Sequence, residues 1–287
     1  MSIADCDKMT YKGSKVGFAR FTSLEVLDIQ GCPELILSMV QSDENDESAN
    51  GRWFLPLSLR YISINASPAT LQLCFPENRS CLKSLDVSIS ARLKYLQLLA
   101  CKALGRLRIE YCGSLTALEG LQSLDRLREL ELSTCPRLPP SLEHLSRQGY
   151  ELCSRLERLW INQFSFLSPP FCMRLTSLKR LELHRSEEEQ TELTDEQDKA
   201  LQLLPSLQEL LLVSCEDLPA RLSSFPSLWK LEIFYCPHIT RLPEEGLPRS
   251  LEELVIHYCS KELADQCRML ATKKLINVKI DGEHVNL

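Results

Sequence analysis

The sequence carries no excess of positive charge. Its 33 Lys and Arg are outnumbered by 39 Asp and Glu, giving a formal net charge of -6 and a pI near 5.5. Phosphate recognition depends on concentrated Lys and Arg, so neither nucleic acid nor an anionic membrane is expected as a partner. No stretch approaches the roughly 18 apolar residues of a membrane span. Residues Met1 to Lys15 include Asp5, Asp7, Lys8 and Lys12 and no apolar run able to act as the hydrophobic region of a secretory signal. An intracellular protein is therefore expected, cytoplasmic, with the nucleus also open to it. Cys-x-x-Cys is absent too. The 13 cysteines are odd in number in a long chain without a signal, so they read as reduced thiols, and their spacing gathers no four ligands for a structural metal site. Glycine is scarce, at 10 residues, about half the roughly 7% of average usage.

Leucine is abundant instead: 55 residues, nearly a fifth of the chain. A Leu-x-x-Leu-x-Leu/Ile-x-x-Cys-x-x-Leu phrase recurs ten times, beginning at Leu24, Leu59, Leu82, Leu104, Leu127, Leu156, Leu178, Leu207, Leu228 and Leu251. The clearest copy runs through Leu24, Leu27, Ile29, Cys32 and Leu35. Start-to-start spacings of 35, 23, 22, 23, 29, 22, 29, 21 and 23 define a unit of about 23 residues with three insertions, which is the leucine-rich-repeat period. The Leu-x-Leu core alternates as a short strand with one buried face. No unit buries its own leucines alone, so the units must stack. The expected fold is an α/β solenoid: a leucine-rich-repeat horseshoe with a parallel sheet on the concave face and an irregular or short-helical convex side. Ten parallel strands are expected, centred on Leu27–Ile29, Ile62–Ile64, Leu85–Val87, Leu107–Ile109, Leu130–Leu132, Leu159–Ile161, Leu181–Leu183, Leu210–Leu212, Leu231–Ile233 and Leu254–Ile256. Residues 1–23 form an N-terminal flank, 24–263 the repeats and 264–287 a C-terminal cap.

Where the chain leaves each strand, a small side chain must turn inward and offer a donor to a neighbouring carbonyl. Cys32, Cys112, Cys135, Cys215, Cys236 and Cys259 hold that ladder position, with Ser67, Ser90, Phe164 and Ser186 in the weaker copies. The insertion Gln41 to Arg52 is acidic and without apolar periodicity, as in a solvated loop. In the segment 187–204, Thr194 and Gln197 have capping-box spacing, Leu201 and Leu204 are placed to dock, and Pro205 stops the helix. A helix from Lys261 to Ala271 and a strand from Leu275 to Ile280 would cover the last leucine layer.

Several phrases resemble the irregular C-terminal repeats of plant nucleotide-binding, leucine-rich-repeat disease resistance proteins. They are Cys236-Pro-His-Ile-Thr-Arg-Leu-Pro-Glu-Glu-Gly-Leu-Pro-Arg-Ser-Leu251, Leu251-Glu-Glu-Leu-Val-Ile-His-Tyr-Cys259, the segment Leu193 to Leu210, and Cys267-Arg-Met-Leu-Ala. The last two are similar to the grass members in particular. The resemblance implies a part that senses a pathogen effector or a guarded host protein and restrains a neighbouring nucleotide-binding switch. The phosphate-cradling Gly-x-x-x-x-Gly-Lys-Ser/Thr loop is missing, so nucleotide binding is not implied and no cofactor is expected. The chain resembles the repeat region alone, as a fragment or truncated product. An F-box-type leucine-rich-repeat substrate receptor of a ubiquitin ligase is the alternative. Only His238-Ile239-Thr240-Arg241 approaches the phrase that such repeats carry after the cysteine.

Catalysis is not expected. The nearest Cys and His, Cys259 and His257, lie on opposite faces of one strand with no third group to orient them, and the acidic clusters Glu187 to Glu189 and Asp43 to Glu47 read as solvated loops. A protein-binding surface is expected instead. Side chains alternating with the leucines face outward, which places Trp160, Phe234, Tyr235, Val255, His257 and Tyr258 on the concave face beside Glu182, Glu209, Glu232 and Glu253. Five of these six groups fall in the last two repeats. The expected patch is aromatic at its centre and acidic at its rim, and suits a basic or mixed-charge protein partner.

Overall fold

The computed structural model describes every residue except 7, 11–20, 36–39, 42–51, 54, 66–71, 75–78, 150–151, 186–192, 274–275 and 286–287. The insertion between Gln41 and Arg52, the Glu187 to Glu189 cluster, Ser67 and Ser186 thus lie outside the described residues, whereas Gln41 and Arg52 themselves are strand residues. The chain divides into two compact units, Met1–Arg155 and Leu156–Leu287.

Every one of the ten expected strands is present. In the first unit Val26–Gln30, Tyr61–Asn65, Ser84–Ser88, Arg106–Glu110 and Glu129–Ser133 pair in parallel, one strand per repeat, and Ser2–Ala4 adds a further parallel strand beside Val26–Gln30. The register stacks Leu27, Ile62, Leu85, Leu107 and Leu130 in one row and Ile29, Ile64, Val87, Ile109 and Leu132 in another. All ten are buried. Alternation explains this directly: with period 2 a one-residue slip would turn a whole row to solvent, so the repeated phase fixes the pairing.

The second unit pairs Arg158–Ile161, Arg180–His184, Glu209–Val213, Lys230–Phe234, Glu253–His257 and Asn277–Ile280 in parallel. Its rows are Leu159, Leu181, Leu210, Leu231, Leu254, Val278 and Ile161, Leu183, Leu212, Ile233, Ile256, Ile280. The helix Lys261–Lys273 buries Leu263, Cys267 and Ala271, one turn apart on one face. Asp281 and Gly282, both with positive φ (51° and 88°), then reverse the chain so that Glu283–His284 pairs antiparallel with Lys279 and Ile280. Asp-Gly is the pair that such a tight hairpin favours.

The return segments correct one expectation. In the first unit they are not irregular or helical throughout but form a second sheet, ordered Ala117–Glu119, Tyr95–Gln97, Gln72–Cys74, Arg52–Trp53, Val40–Gln41, parallel except for the last pair. In this unit Tyr95-Leu96-Gln97-Leu98 alternates as a strand does, with Leu96, Leu98 and Leu118 buried. The two 29-residue repeats carry the helices Pro139–Arg147 and Asp195–Leu201. The second begins with the expected capping box: Gln197 N–H donates to Thr194 Oγ1 at 3.3 Å, and Thr194 N–H to Gln197 Oε1 at 2.9 Å.

Candidate functional site

The outward face of the second unit is set by the same register that buries the leucines. Three outward rows run across its strands. The first holds Arg158, Arg180, Glu209, Lys230, Glu253 and Asn277; the second Trp160, Glu182, Leu211, Glu232, Val255 and Lys279; the third His184, Val213, Phe234 and His257.

The four expected glutamates lie in the first two rows, each beside a cation. Arg180 bonds Glu182 through Nε at 2.7 Å and reaches Glu209 and Glu232 through Nη1, the latter at 3.2 Å. Lys230 lies 3.1 Å from Glu232 and 3.7 Å from Glu253, which Lys279 contacts at 2.6 Å. His184, whose Nε2 lies 4.0 Å from the carboxylate, with Arg180 in support, holds the Glu182 carboxyl below its ordinary pKa, and the bond from Lys279 does the same for Glu253. These carboxylates are therefore not the acidic rim of an aromatic centre. They form a largely neutralised ion-pair strip at the N-terminal and middle positions of the strands. The aromatics occupy the C-terminal ends.

There Phe234, Tyr235, His257 and Tyr258 come together. Tyr235 and Tyr258 stack with ring centroids 5.1 Å apart and planes 18° apart; His257 lies 4.3 Å from Tyr258 and 6.4 Å from Tyr235, and Phe234 meets His257 edge-on at 5.9 Å. His257 Nδ1 is 3.2 Å from Asp281 Oδ1. Trp160 does not join this cluster. It tilts against His184, 4.6 Å away on the next strand, and the Lys230–Phe234 strand is two further on. Trp160, Val255, Phe234 and His257 are half-buried, whereas Tyr235 and Tyr258 are 52% and 60% exposed.

Strict alternation would turn Tyr235 and Tyr258 into the leucine layers. Both instead take the left-handed conformation (φ 55° and 52°), as do Gly31, Ile89, Tyr111, Thr134 and Ser214, each directly before a ladder residue. The turn sends the ladder side chain inward and its predecessor out. The N–H of Tyr235 then reaches the carbonyl of His257 at 2.8 Å, and that of Tyr111 the carbonyl of Ser133 at 2.9 Å. For Tyr258 the acceptor is a side chain instead, Asp281 Oδ1, at 2.8 Å. Sequence reasoning missed the counterpart in the first unit, where Ile89 and Tyr111, from adjacent repeats, are 51% and 56% exposed. Their signal was their place immediately before Ser90 and Cys112.

The ladder thiols do what their position demands. Cys236 donates to Phe234 O at 3.2 Å and approaches Leu212 O in the preceding repeat at 3.9 Å; Cys112, Cys135, Cys215 and Cys259 repeat the pattern. A bond with the Cys215 thiol, reinforced by burial, pushes Cys236 up to about 12, and burial alone does so for Cys153 and Cys172. The Cys259 thiol is engaged with two carbonyls, those of Ile233 and His257. Among the described residues no group of three or more His, Cys, Asp or Glu is gathered to hold a metal ion, and no helix is long and apolar enough to cross a membrane.

No protein-family model matches the chain. It is nevertheless similar to a plant disease resistance protein. That relative, disease resistance protein RPS4B of Arabidopsis thaliana, is 29% identical over 212 residues, covering 62% of this chain and 18% of the relative's own length. The chain thus spans less than a fifth of the curated protein it matches.

Proposed function

We propose that this chain is the protein-recognition part of an intracellular plant immune receptor of the nucleotide-binding, leucine-rich-repeat kind, similar to the grass members. Each unit is read as a stretch of leucine-rich-repeat solenoid. Its partner is a pathogen effector, a guarded host protein, or the nucleotide-binding switch of a parent receptor. It works in the cytoplasm or nucleus by binding, not catalysis.

The observation that carries this reading is the exposed cluster of Phe234, Tyr235, His257 and Tyr258 at the ends of two hydrogen-bonded strands. Exposed aromatics on a rigid scaffold are the groups that most often dominate interface energetics. The similarity to a disease resistance protein supports the choice of pathway. Proximity labelling in plant cells tests it, comparing the wild type with a variant carrying Trp160→Ala, Phe234→Ala, Tyr235→Ala and Tyr258→Ala that still melts cooperatively. Loss of a reproducible partner set in the variant is expected. Identical partner sets would remove this face from recognition.

A further inference from the structure

We infer that Tyr235 and Tyr258, with Asp281 beside them, form a docking site for an arginine side chain on the protein partner; this rests on the protein-recognition reading above and names the chemistry it uses. The first ground is charge. Glu182, Glu209, Glu232 and Glu253 each have an Arg or Lys within ion-pair distance, but Asp281, at the aromatic end of the strands, has none among the described residues and leaves 60% of its side chain exposed. Its carboxylate is nonetheless fixed in place, because Oδ1 accepts the Tyr258 N–H at 2.8 Å and lies 3.2 Å from His257 Nδ1. An oriented, exposed carboxylate without an Arg or Lys partner is thus held by the backbone of Tyr258, whose exposed ring stacks on that of Tyr235.

The second ground is backbone conformation. The turn before the ladder needs positive φ, which Gly31 adopts without penalty. Tyrosine is disfavoured there, and an aromatic kept in a strained, exposed position points to a role for the ring. Stacking orders the two rings against each other and against His257. A guanidinium suits this arrangement better than an ammonium, since its plane stacks on a ring while its edge bonds a carboxylate.

The test is a titration of the full chain, with ring-labelled tyrosine, by Nα-acetyl-arginine methylamide, alongside the neutral citrulline counterpart of the same shape. Arginine should shift the Tyr258 and Tyr235 ring signals saturably, and citrulline should not. In Asp281→Asn, which preserves both the acceptor for Tyr258 N–H and a favoured turn sequence, binding should weaken at least about threefold. In Tyr258→Gly saturation should vanish while the melting midpoint stays level or rises. Absence of saturation in the wild type, an equal response to citrulline, or unchanged affinity in Asp281→Asn would each overturn the inference. If the probe fails while partner labelling still depends on Tyr235 and Tyr258, this inference falls and the recognition reading stands; if the probe binds but partner labelling ignores those tyrosines, the recognition reading of this face falls and partner docking with it, leaving only the affinity for a guanidinium.

Discussion

Ile89 holds a backbone conformation that a β-branched residue rarely takes, with φ at 52° and half of its side chain exposed. Replacing it with glycine removes roughly 1–2 kcal/mol of left-handed strain against roughly 0.5–1 kcal/mol of extra unfolded-state entropy. Ile89→Gly should therefore raise stability by about 0.5 kcal/mol, read as a higher urea midpoint at an unchanged slope. The thiols make a second residue-scale prediction. Cys153 and Cys172 are buried and pushed up to about 12, whereas Cys81 is exposed. Brief alkylation of the native protein at neutral pH, followed by peptide mass analysis, should label Cys81 first and leave Cys112, Cys135 and Cys236 unmodified. Burial of the ladder cysteines was legible in the sequence, because the phrase repeats in phase with the leucines. The outward position of the residue before them was expected at Tyr235 and Tyr258 but not at Ile89 and Tyr111. Period-2 alternation assigns Tyr111 and Ile89 to the core, and only the αL turn, forced by the inward ladder side chain, reverses that.

At the scale of single elements, each strand rests chiefly on its two neighbours, so damage should remain local. Leu231→Ala or Ile233→Ala removes a fully buried side chain and should cost about 2–5 kcal/mol. Amide hydrogen exchange should quicken in Glu209–Val213, Lys230–Phe234 and Glu253–His257 and stay unchanged in Val26–Gln30. The capped helix offers a smaller test: Thr194→Ala removes the acceptor for Gln197 N–H and should cost about 1 kcal/mol in thermal melts. All ten strands could be read from Leu-x-Leu cores in one phase, and the Asp195–Leu201 helix from Thr194, Gln197 and Pro205. The return strands were harder, since Tyr95–Gln97 and Ala117–Glu119 are three residues each, too short for any periodicity to stand out. The helix Pro139–Arg147 went unrecognised because no side chain caps its start, although Pro139 stands where a first-turn proline belongs.

For the molecule as a whole, the two units should answer acid differently at their outward ion pairs. Glu182 and Glu253 in the second unit have lowered folded pKa values, so their stabilisation is present above the ordinary glutamate range and is lost as pH falls through the folded value. Asp86 in the first unit is raised, chiefly by burial, so folding favours its protonated form and its contribution fades as pH rises. Melts between about pH 6 and 3 should show the advantage of Glu253 over Gln disappearing while Asp86 gains relative to Asn. The candidate site was legible in its membership but not in its layout. Phe234, Tyr235, His257 and Tyr258 do meet, whereas Trp160 stands apart and the glutamates are tied to Arg180, Lys230 and Lys279, because cross-strand partners depend on a register that no single repeat reveals. The Asp281-Gly282 hairpin has one more effect. A parallel sheet that ended at Asn277–Ile280 would offer an open row of amides and carbonyls on which further chains could add and grow into fibres. The two-residue return strand Glu283–His284 pairs antiparallel with Lys279 and Ile280 and so leaves less of that row open to strand addition.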